Sequence, residues 1–122
     1  MRRALLALIA VLIAVGLFTG GLAALLETPA PPPGASRAER LYLGLCASCH
    51  GADGRGTLRA TLFLIRPGDL TRIDRPDAYL FDIIKHGGAP IGRPGMPGFG
   101  TALSEDDIAR LVHYIRTLPS AR

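Results

Sequence analysis

Two cysteines three residues apart, Cys46 and Cys49, are the only cysteines of the 122-residue chain, and His50 directly follows the second. Two thiols and an imidazole at this spacing can form a disulfide, a redox-active dithiol, a zinc site or an attachment site for haem. A disulfide would leave the histidine without a role. A thioredoxin-like dithiol would require a βαβ setting, which the sequence does not indicate.

A zinc site would recruit both cysteines and two of the three histidines, His50, His86 and His113. Zinc sites usually bring their second pair of ligands as a tight motif, and the chain has no such pair. Zinc is therefore kept only as an alternative.

The C-x-x-C-H pattern favours attachment of c-type haem. Thiols at positions i and i+3 of a helix can bond to two neighbouring vinyl groups at one edge of a porphyrin, and the imidazole of the next residue can then reach the iron. We predict one haem c, bound covalently through Cys46 and Cys49 and ligated by His50.

Haem iron also needs a sixth ligand or an open position, and Met96 is the candidate. It is the only methionine outside the apolar N-terminal segment, and helix breakers flank it in Pro94-Gly95-Met96-Pro97-Gly98. A methionine is usually a core residue, but this one lies on no apolar face, so we predict that it ligates iron. His86 is kept as an alternative ligand, and His113 is expected on the surface.

Three amphipathic helices are predicted to position these residues, and no convincing strand is found. The first begins at the capping box Ser36-Arg37-Ala38-Glu39. The second opens at Asp74-Arg75-Pro76-Asp77, continues through Ile83-Ile84-Lys85-His86 and ends at Gly87. One arc of the first helix carries its apolar residues and both cysteines, which are therefore predicted to point inward: Leu41, Tyr42, Leu45, Cys46 and Cys49.

The third helix begins at the capping box Ser104-Glu105-Asp106-Asp107, continues through Leu118 and is ended by Pro119. The segment before it, Gly87 to Gly100, holds six glycines and three prolines. So long an irregular loop in a small domain suggests that it wraps a bound group. The predicted fold is all-α: a small domain of three main helices around one covalent haem, preceded by a transmembrane helix.

The N-terminal segment is a predicted membrane anchor. Arg2 and Arg3 precede 23 uncharged residues, 4–26, and a helix of this length rises roughly 35 Å, enough to cross a hydrocarbon core of about 30 Å. A cleaved signal peptide is the alternative, although its apolar core is usually only about 7–15 residues long and Gly21-Leu22-Ala23 is a weak cleavage site. Either way, Arg2 and Arg3 stay in the cytoplasm.

The chain is thus divided into an anchor or uncleaved signal (1–27), a Pro-rich linker (28–35) and a domain (36–122). The linker favours polyproline II, a semi-rigid spacer that would hold the domain roughly 20–30 Å from the membrane and let it swing. The predicted location is the cytoplasmic (inner) membrane, single-pass, with the domain on the periplasmic side. Residues 37–122 hold 12 basic and 9 acidic side chains, too mild and scattered a charge for nucleic-acid binding.

The region from about Ser36 to Leu118 resembles a class I cytochrome c. Besides the attachment motif, Pro67-Gly68-Asp69-Leu70-Thr71 resembles the P-x-D-L-T segment and Gly95-Met96-Pro97-Gly98-Phe99-Gly100 the G-M-P-x-F-G ligand loop. The resemblance implies that Pro67 offers its carbonyl to the second ring N–H of His50. It also implies that an aromatic residue of the terminal helix packs on the first helix, where Tyr42 fits.

These observations predict one-electron transfer in a respiratory chain, as a membrane-tethered shuttle or as a subunit of an oxidoreductase, and not catalysis by the chain itself. The alternative is a haem-based gas sensor or haem enzyme with a displaceable sixth ligand. Redox partner proteins are expected, with an acidic docking face if the arginines near the site steer them: Arg55, Arg59, Arg66 and Arg93.

Overall fold

Six α-helices and two short 3-10 helices form the part of the chain that the computed structural model describes, residues 1–119, and no strand occurs within it. The fold is therefore all-α, as predicted. The α-helices are α1 (Arg2–Leu26), α2 (Arg37–Leu45), α3 (Ala47–His50), α4 (Leu58–Leu62), α5 (Asp77–His86) and α6 (Glu105–Thr117). The 3-10 helices are Leu70–Arg72 and Ala89–Ile91.

Helix α1 is exposed along its whole length. Its most apolar 18-residue window has a mean hydropathy of 2.6, and its length and composition allow it to cross a membrane. A signal sequence near the N-terminus has the same properties. The helix fits a transmembrane anchor without excluding a cleaved signal.

The predicted first helix is divided at Cys46 into α2 and α3. Cys46 has φ −109° and ψ −38°, although its N–H still donates to Tyr42 O at 2.8 Å. The predicted arc is wrong in part, because Leu45 on that arc is 41 % exposed, whereas Leu43, which lies off it, is only 6 % exposed. Both cysteines are half-buried.

Helices α2, α5 and α6 enclose the hydrophobic core. The apolar residues Ile108, Leu111, Val112 and Ile115 of α6 are buried in it. Tyr42 of α2 is fully buried, and its ring centroid lies 5.2 Å from that of Tyr114 at an angle of 50°. This is the packing of the terminal helix on the first helix that the resemblance implied.

Helix α4 was not predicted. Its N-cap is Thr57, whose Oγ1 accepts from the Ala60 N–H at 3.1 Å. The helix has only five residues, little more than one turn, so the single pair Leu58 and Leu62 is all the periodicity that it can show. The periodicity that revealed α2, α5 and α6 cannot reveal such a helix.

An ion pair joins the start of α2 to the start of α6. Arg37 donates from Nε to Asp107 Oδ1 at 2.5 Å and from Nη2 to Oδ2 at 2.8 Å. This hydrogen-bonded pair lowers the pKa of Asp107 from 3.8 to about 2, and hydrogen bonds with the N-cap residue Ser104 contribute to the shift. The pair therefore stabilises the fold while Asp107 is ionised.

We predict that this pair makes the protein acid-sensitive. Because the pKa of Asp107 is lower in the folded state than in the unfolded state, its contribution is present above about pH 4 and is lost as the pH falls from about 4 to 2. The substitution Asp107→Asn should lower the guanidinium midpoint of the haem-loaded protein in detergent at pH 7. It should also flatten the pH dependence of the midpoint in that window, followed by circular dichroism.

The matched control is Asp106→Asn. Asp106 lies in the same first turn and pairs with the exposed Arg110 four residues later, an arrangement worth only about 0.3–0.5 kcal/mol. Equal effects of the two substitutions at every pH would contradict the prediction.

Candidate haem-binding site

The two cysteines and His50 lie together around α3. Both thiols are free and half-buried, and burial, with a smaller effect of Cys49, raises the pKa of Cys46 to about 11. Thr57 fixes the end of this helix, because its Oγ1 donates to Ser48 O at 2.9 Å. The Cys46 thiol therefore remains protonated at neutral pH, and both cysteines are free for covalent attachment.

A glycine-rich turn follows His50. Gly51 has φ 79°, and a Cβ there would lie 2.8 Å from Asp53 Oδ1 and 2.9 Å from Gly56 O. The turn is closed by Gly56 N–H donating to His50 O at 2.6 Å, and Leu70 N–H donates to Gly54 O at 2.8 Å. These contacts bring the segment from Pro67 to Leu70 back beside the histidine.

The ring of His50 is held by a backbone carbonyl. Its Nδ1 lies 3.3 Å from Gly68 O, and with the proton on Nδ1 the other nitrogen, Nε2, is free to bind a metal. Burial lowers the pKa of His50, partly offset by the hydrogen bond to Gly68. The imidazole is therefore kept in the neutral form that ligates metals.

The partner of Nδ1 differs by one residue from the prediction. We expected the carbonyl of Pro67, whereas the structure presents that of Gly68. Asp69 sets the geometry there, because its Oδ1 accepts from the Thr71 N–H at 2.9 Å and begins the 3-10 helix. The expected second contact of the histidine therefore exists, but with a different carbonyl.

The loop that carries Met96 is tied to the C-terminal end of α5. Phe99 N–H donates to Ile84 O at 2.8 Å, and Gly100 N–H to Lys85 O at 2.9 Å. These carbonyls belong to the last turn of a helix, where no intrahelical donor remains for them. Within the loop, Gly88 N–H donates to Met96 O at 2.9 Å. Met96 is half-buried and packs against the hydrophobic core.

Close backbone contact explains the glycines of this loop. A Cβ at Gly98 would lie 2.8 Å from His86 C and 2.9 Å from His86 O. Gly87 has φ 82°, and a Cβ there would lie 2.7 Å from Gly98 N. The loop also contains the 3-10 helix Ala89–Ile91, so its backbone is less irregular than predicted.

The Met96 loop also contacts the segment that holds His50. A Cβ at Gly68 would lie 3.6 Å from Arg93 Nη1 in the Met96 loop. A Cβ at Gly95, in the same loop, would lie 3.5 Å from Ile65 Cγ2. The Met96 loop therefore lies beside the segment whose Gly68 carbonyl holds the ring of His50. His86 and His113 are exposed, as expected for His113.

The residues present fit haem c. Two free thiols, a neutral imidazole fixed through Nδ1 and a half-buried thioether are the donors that such a group uses. Zinc would need four grouped ligands, and within residues 1–119 no group of three or more His, Cys, Asp or Glu side chains could hold a metal ion.

The sequence did not reveal the contributions of Gly68 and Thr57 to this site. Thr57 could have been found as a capping residue, whereas a backbone acceptor leaves little signal.

This fold and this site define a c-type cytochrome, a haem-binding electron-transfer protein. Residues 33–115 match the sequence model of the family described as cytochrome c oxidase, cbb3-type, subunit III, and the chain belongs to this family. Among curated proteins it is similar to the cytochrome c subunits of quinone alcohol dehydrogenase from Gluconacetobacter polyoxogenes and Komagataeibacter europaeus.

Each of these relatives is 35 % identical over 83 residues, which cover 62 % of this chain. The match spans only 17 % of the length of each relative. The likeness therefore concerns the c-type cytochrome region and not the whole of those subunits.

We predict that Gly98→Ala detaches the Met96 loop from α5. The added methyl group has no room between the loop and the His86 backbone, and overpacking of this kind typically costs about 1–3 kcal/mol. The guanidinium midpoint should fall, and the amides of Phe99 and Gly100 should exchange faster with deuterium.

Gly44→Ala is the control for this substitution. Gly44 lies within α2 with nothing close to its missing Cβ, so alanine should be neutral or stabilise by up to about 1 kcal/mol. Unchanged exchange at Phe99 and Gly100 in Gly98→Ala would refute the proposed role of the close contact.

Proposed function

We propose that the chain is a membrane-tethered mono-haem c-type cytochrome that transfers single electrons, with its haem bound through Cys46 and Cys49. His50 and Met96 are the proposed axial ligands. The observation that carries the proposal is the neutral, ring-fixed His50 directly after two free thiols. Haem c supplies a one-electron ferrous–ferric couple, whose potential depends on the axial ligands and on burial.

Each residue has a separate task in this proposal. Cys46 and Cys49 fix the group covalently on α3. Gly68, through its carbonyl, sets the orientation and tautomer of His50, and such contacts also raise the basicity of a ligating histidine. Met96 would be the second protein ligand of the iron and would close it to other ligands; compared with a histidine, a methionine ligand raises the reduction potential. A closed position leaves no place for a substrate, which is why we propose a carrier.

The proposal includes the division into an anchor (1–27), a linker (28–35) and the cytochrome domain (36–122), with that domain on the periplasmic side. The carrier would act in a respiratory chain, as a shuttle or as a subunit of a larger complex. The name of the relatives, cytochrome c subunits of a dehydrogenase, supports a protein redox partner. An acidic docking face on that partner is proposed because Arg93, which precedes the Met96 loop, is exposed.

We predict that the reduced, haem-loaded protein does not bind carbon monoxide and that Met96→Ala does. Removing the thioether opens the iron to an exogenous ligand, so the absorption spectrum of the variant should change on addition of the gas. His86→Ala and His113→Ala are the controls, and both should stay closed.

Other results would favour a different function or a different sixth ligand. A spectral change in the unsubstituted protein would mean a displaceable ligand and favour the gas sensor or haem enzyme. Opening by His86→Ala instead of Met96→Ala would assign the sixth position to His86. A protein purified without haem, after expression with the haem-maturation machinery, would contradict the whole proposal.

We also predict that α1 is retained in the mature protein. After expression of the full chain, the protein should remain in membranes washed with alkaline carbonate, and its N-terminal sequence should include Arg2 and Arg3. The control is the same domain behind a cleavable signal peptide, which the wash should release. A mature chain that begins near Ala23 and is released would show that α1 is a signal.

A further inference from the structure

Four exposed apolar side chains lie on and just after α4. Leu58, Leu62, Phe63 and Leu64, here called the α4 patch, are exposed by 66 %, 60 %, 67 % and 90 %. Elsewhere in the described part of the chain beyond α1, the exposed large apolar residues are scattered singly: Leu45, Tyr79 and Ile91. Contiguous exposed apolar surface of this kind marks an interaction site.

The backbone at the patch is strained at Leu64. Leu64 has φ 57° and is the only residue other than glycine with a positive φ within residues 1–119. Its N–H donates to Thr61 O at 3.0 Å, and Ile65 N–H donates to Ala60 O at 2.8 Å. A bulky residue in this conformation is unfavourable, and such strain clusters at functional sites.

The patch lies in a positively charged segment. Residues 54–68 contain Arg55, Arg59 and Arg66 and no acidic residue. Arg55 and Arg66 are exposed and Arg59 is half-exposed. Apolar side chains flanked by arginines are the composition that binds the interface of a bilayer containing anionic lipids.

The last turn of α1 lies next to α4. A cavity between them is lined by Ala24, Leu25, Glu27 and Pro29 on one side and by Thr57, Leu58 and Arg59 among others on the opposite side. Leu25 is among the better covered apolar residues of α1, at 37 % exposed. If α1 crosses a membrane, its last turn reaches the headgroup region, so the contact holds α4 at that depth.

We propose that the α4 patch docks on the anionic lipid surface where α1 leaves the membrane. The apolar side chains enter the interface, and Arg55, Arg59 and Arg66 contact the headgroup phosphates. The inference rests on the anchor in the proposed function and adds to it a resting position for the domain. The domain then lies on the bilayer, and residues 28–35 return the chain from α1 to α2 instead of serving as a spacer.

The test uses the haem-loaded full chain in lipid nanodiscs that contain phosphatidylglycerol and a phospholipid with a nitroxide near its headgroup. Once both native cysteines are thioethers, Thr61→Cys supplies a single thiol on α4 for a fluorophore. Ala109→Cys, on the exposed face of α6, is the matched control. We expect several-fold stronger quenching at position 61 than at position 109, and weaker quenching in discs of phosphatidylcholine alone.

A second variant separates lipid from the other occupants of the patch. Leu62→Ser with Phe63→Ser should abolish the quenching at position 61 and leave haem absorption unchanged. Unchanged quenching together with altered haem absorption would show that the patch covers the haem and would overturn the proposal.

Equal quenching at positions 61 and 109 would also overturn the proposed docking on lipid. It would be expected if the α4 patch binds an acidic protein instead. A chain that does not stay in the discs would overturn the anchor and the docking together. Haem content, measured by absorption of the same discs, tests the proposed function separately from the quenching.

Discussion

The side chain of Tyr42 connects the hydrophobic core to the turn of the C-x-x-C-H motif. Its ring is fully buried against Tyr114 of α6, while its hydroxyl donates to Gly51 O at 2.8 Å. A buried carbonyl without a donor costs roughly 1–3 kcal/mol, so core packing and the geometry after His50 are stabilised together. Burial accordingly raises the pKa of Tyr42, which stays a hydrogen-bond donor.

The Met96 loop depends on a different constraint, the carbonyl groups at the end of α5. A helix end needs donors from outside the helix, and here Phe99 and Gly100 supply them. The loop can approach so closely because Gly98 and Gly100 lack side chains. The residue proposed to close the iron site is thus positioned by backbone contacts, which a small domain can form without a large apolar core.

The amphipathic helices and their caps could be predicted from the sequence because each is long enough for its pattern to repeat. Ser36 and Ser104 cap α2 and α6 as expected, and Gly87 ends α5 in a positive-φ conformation. Helix α4 and both 3-10 helices are too short to show a period. The break at Cys46 was missed because apolar residues continue across it in the sequence, from Leu45 and Cys46 to Ala47 and Cys49.

At the candidate site, residue types could be predicted but their exact partners could not. The spacing of Cys46, Cys49 and His50 favours haem attachment, because few other groups require those three side chains together. The acceptor for His50 Nδ1 is a backbone carbonyl, and any residue can offer one. In the structure the acceptor is the Gly68 carbonyl and not that of Pro67, next to the turn that Asp69 forms with Thr71. The sequence pattern does not show which of two neighbouring carbonyls faces the ring.

The proposed docking changes how the carrier would find its partner. Thr57 caps α4 and its hydroxyl also donates to Ser48 O in α3, so the α4 patch is joined directly to the helix that carries the proposed haem ligands. A domain that swings on a proline linker samples a volume, whereas a domain held at the bilayer meets membrane-bound partners in a thin layer, at a higher effective concentration. The cost is a restricted set of orientations, which suits a partner whose redox centre lies close to the membrane surface.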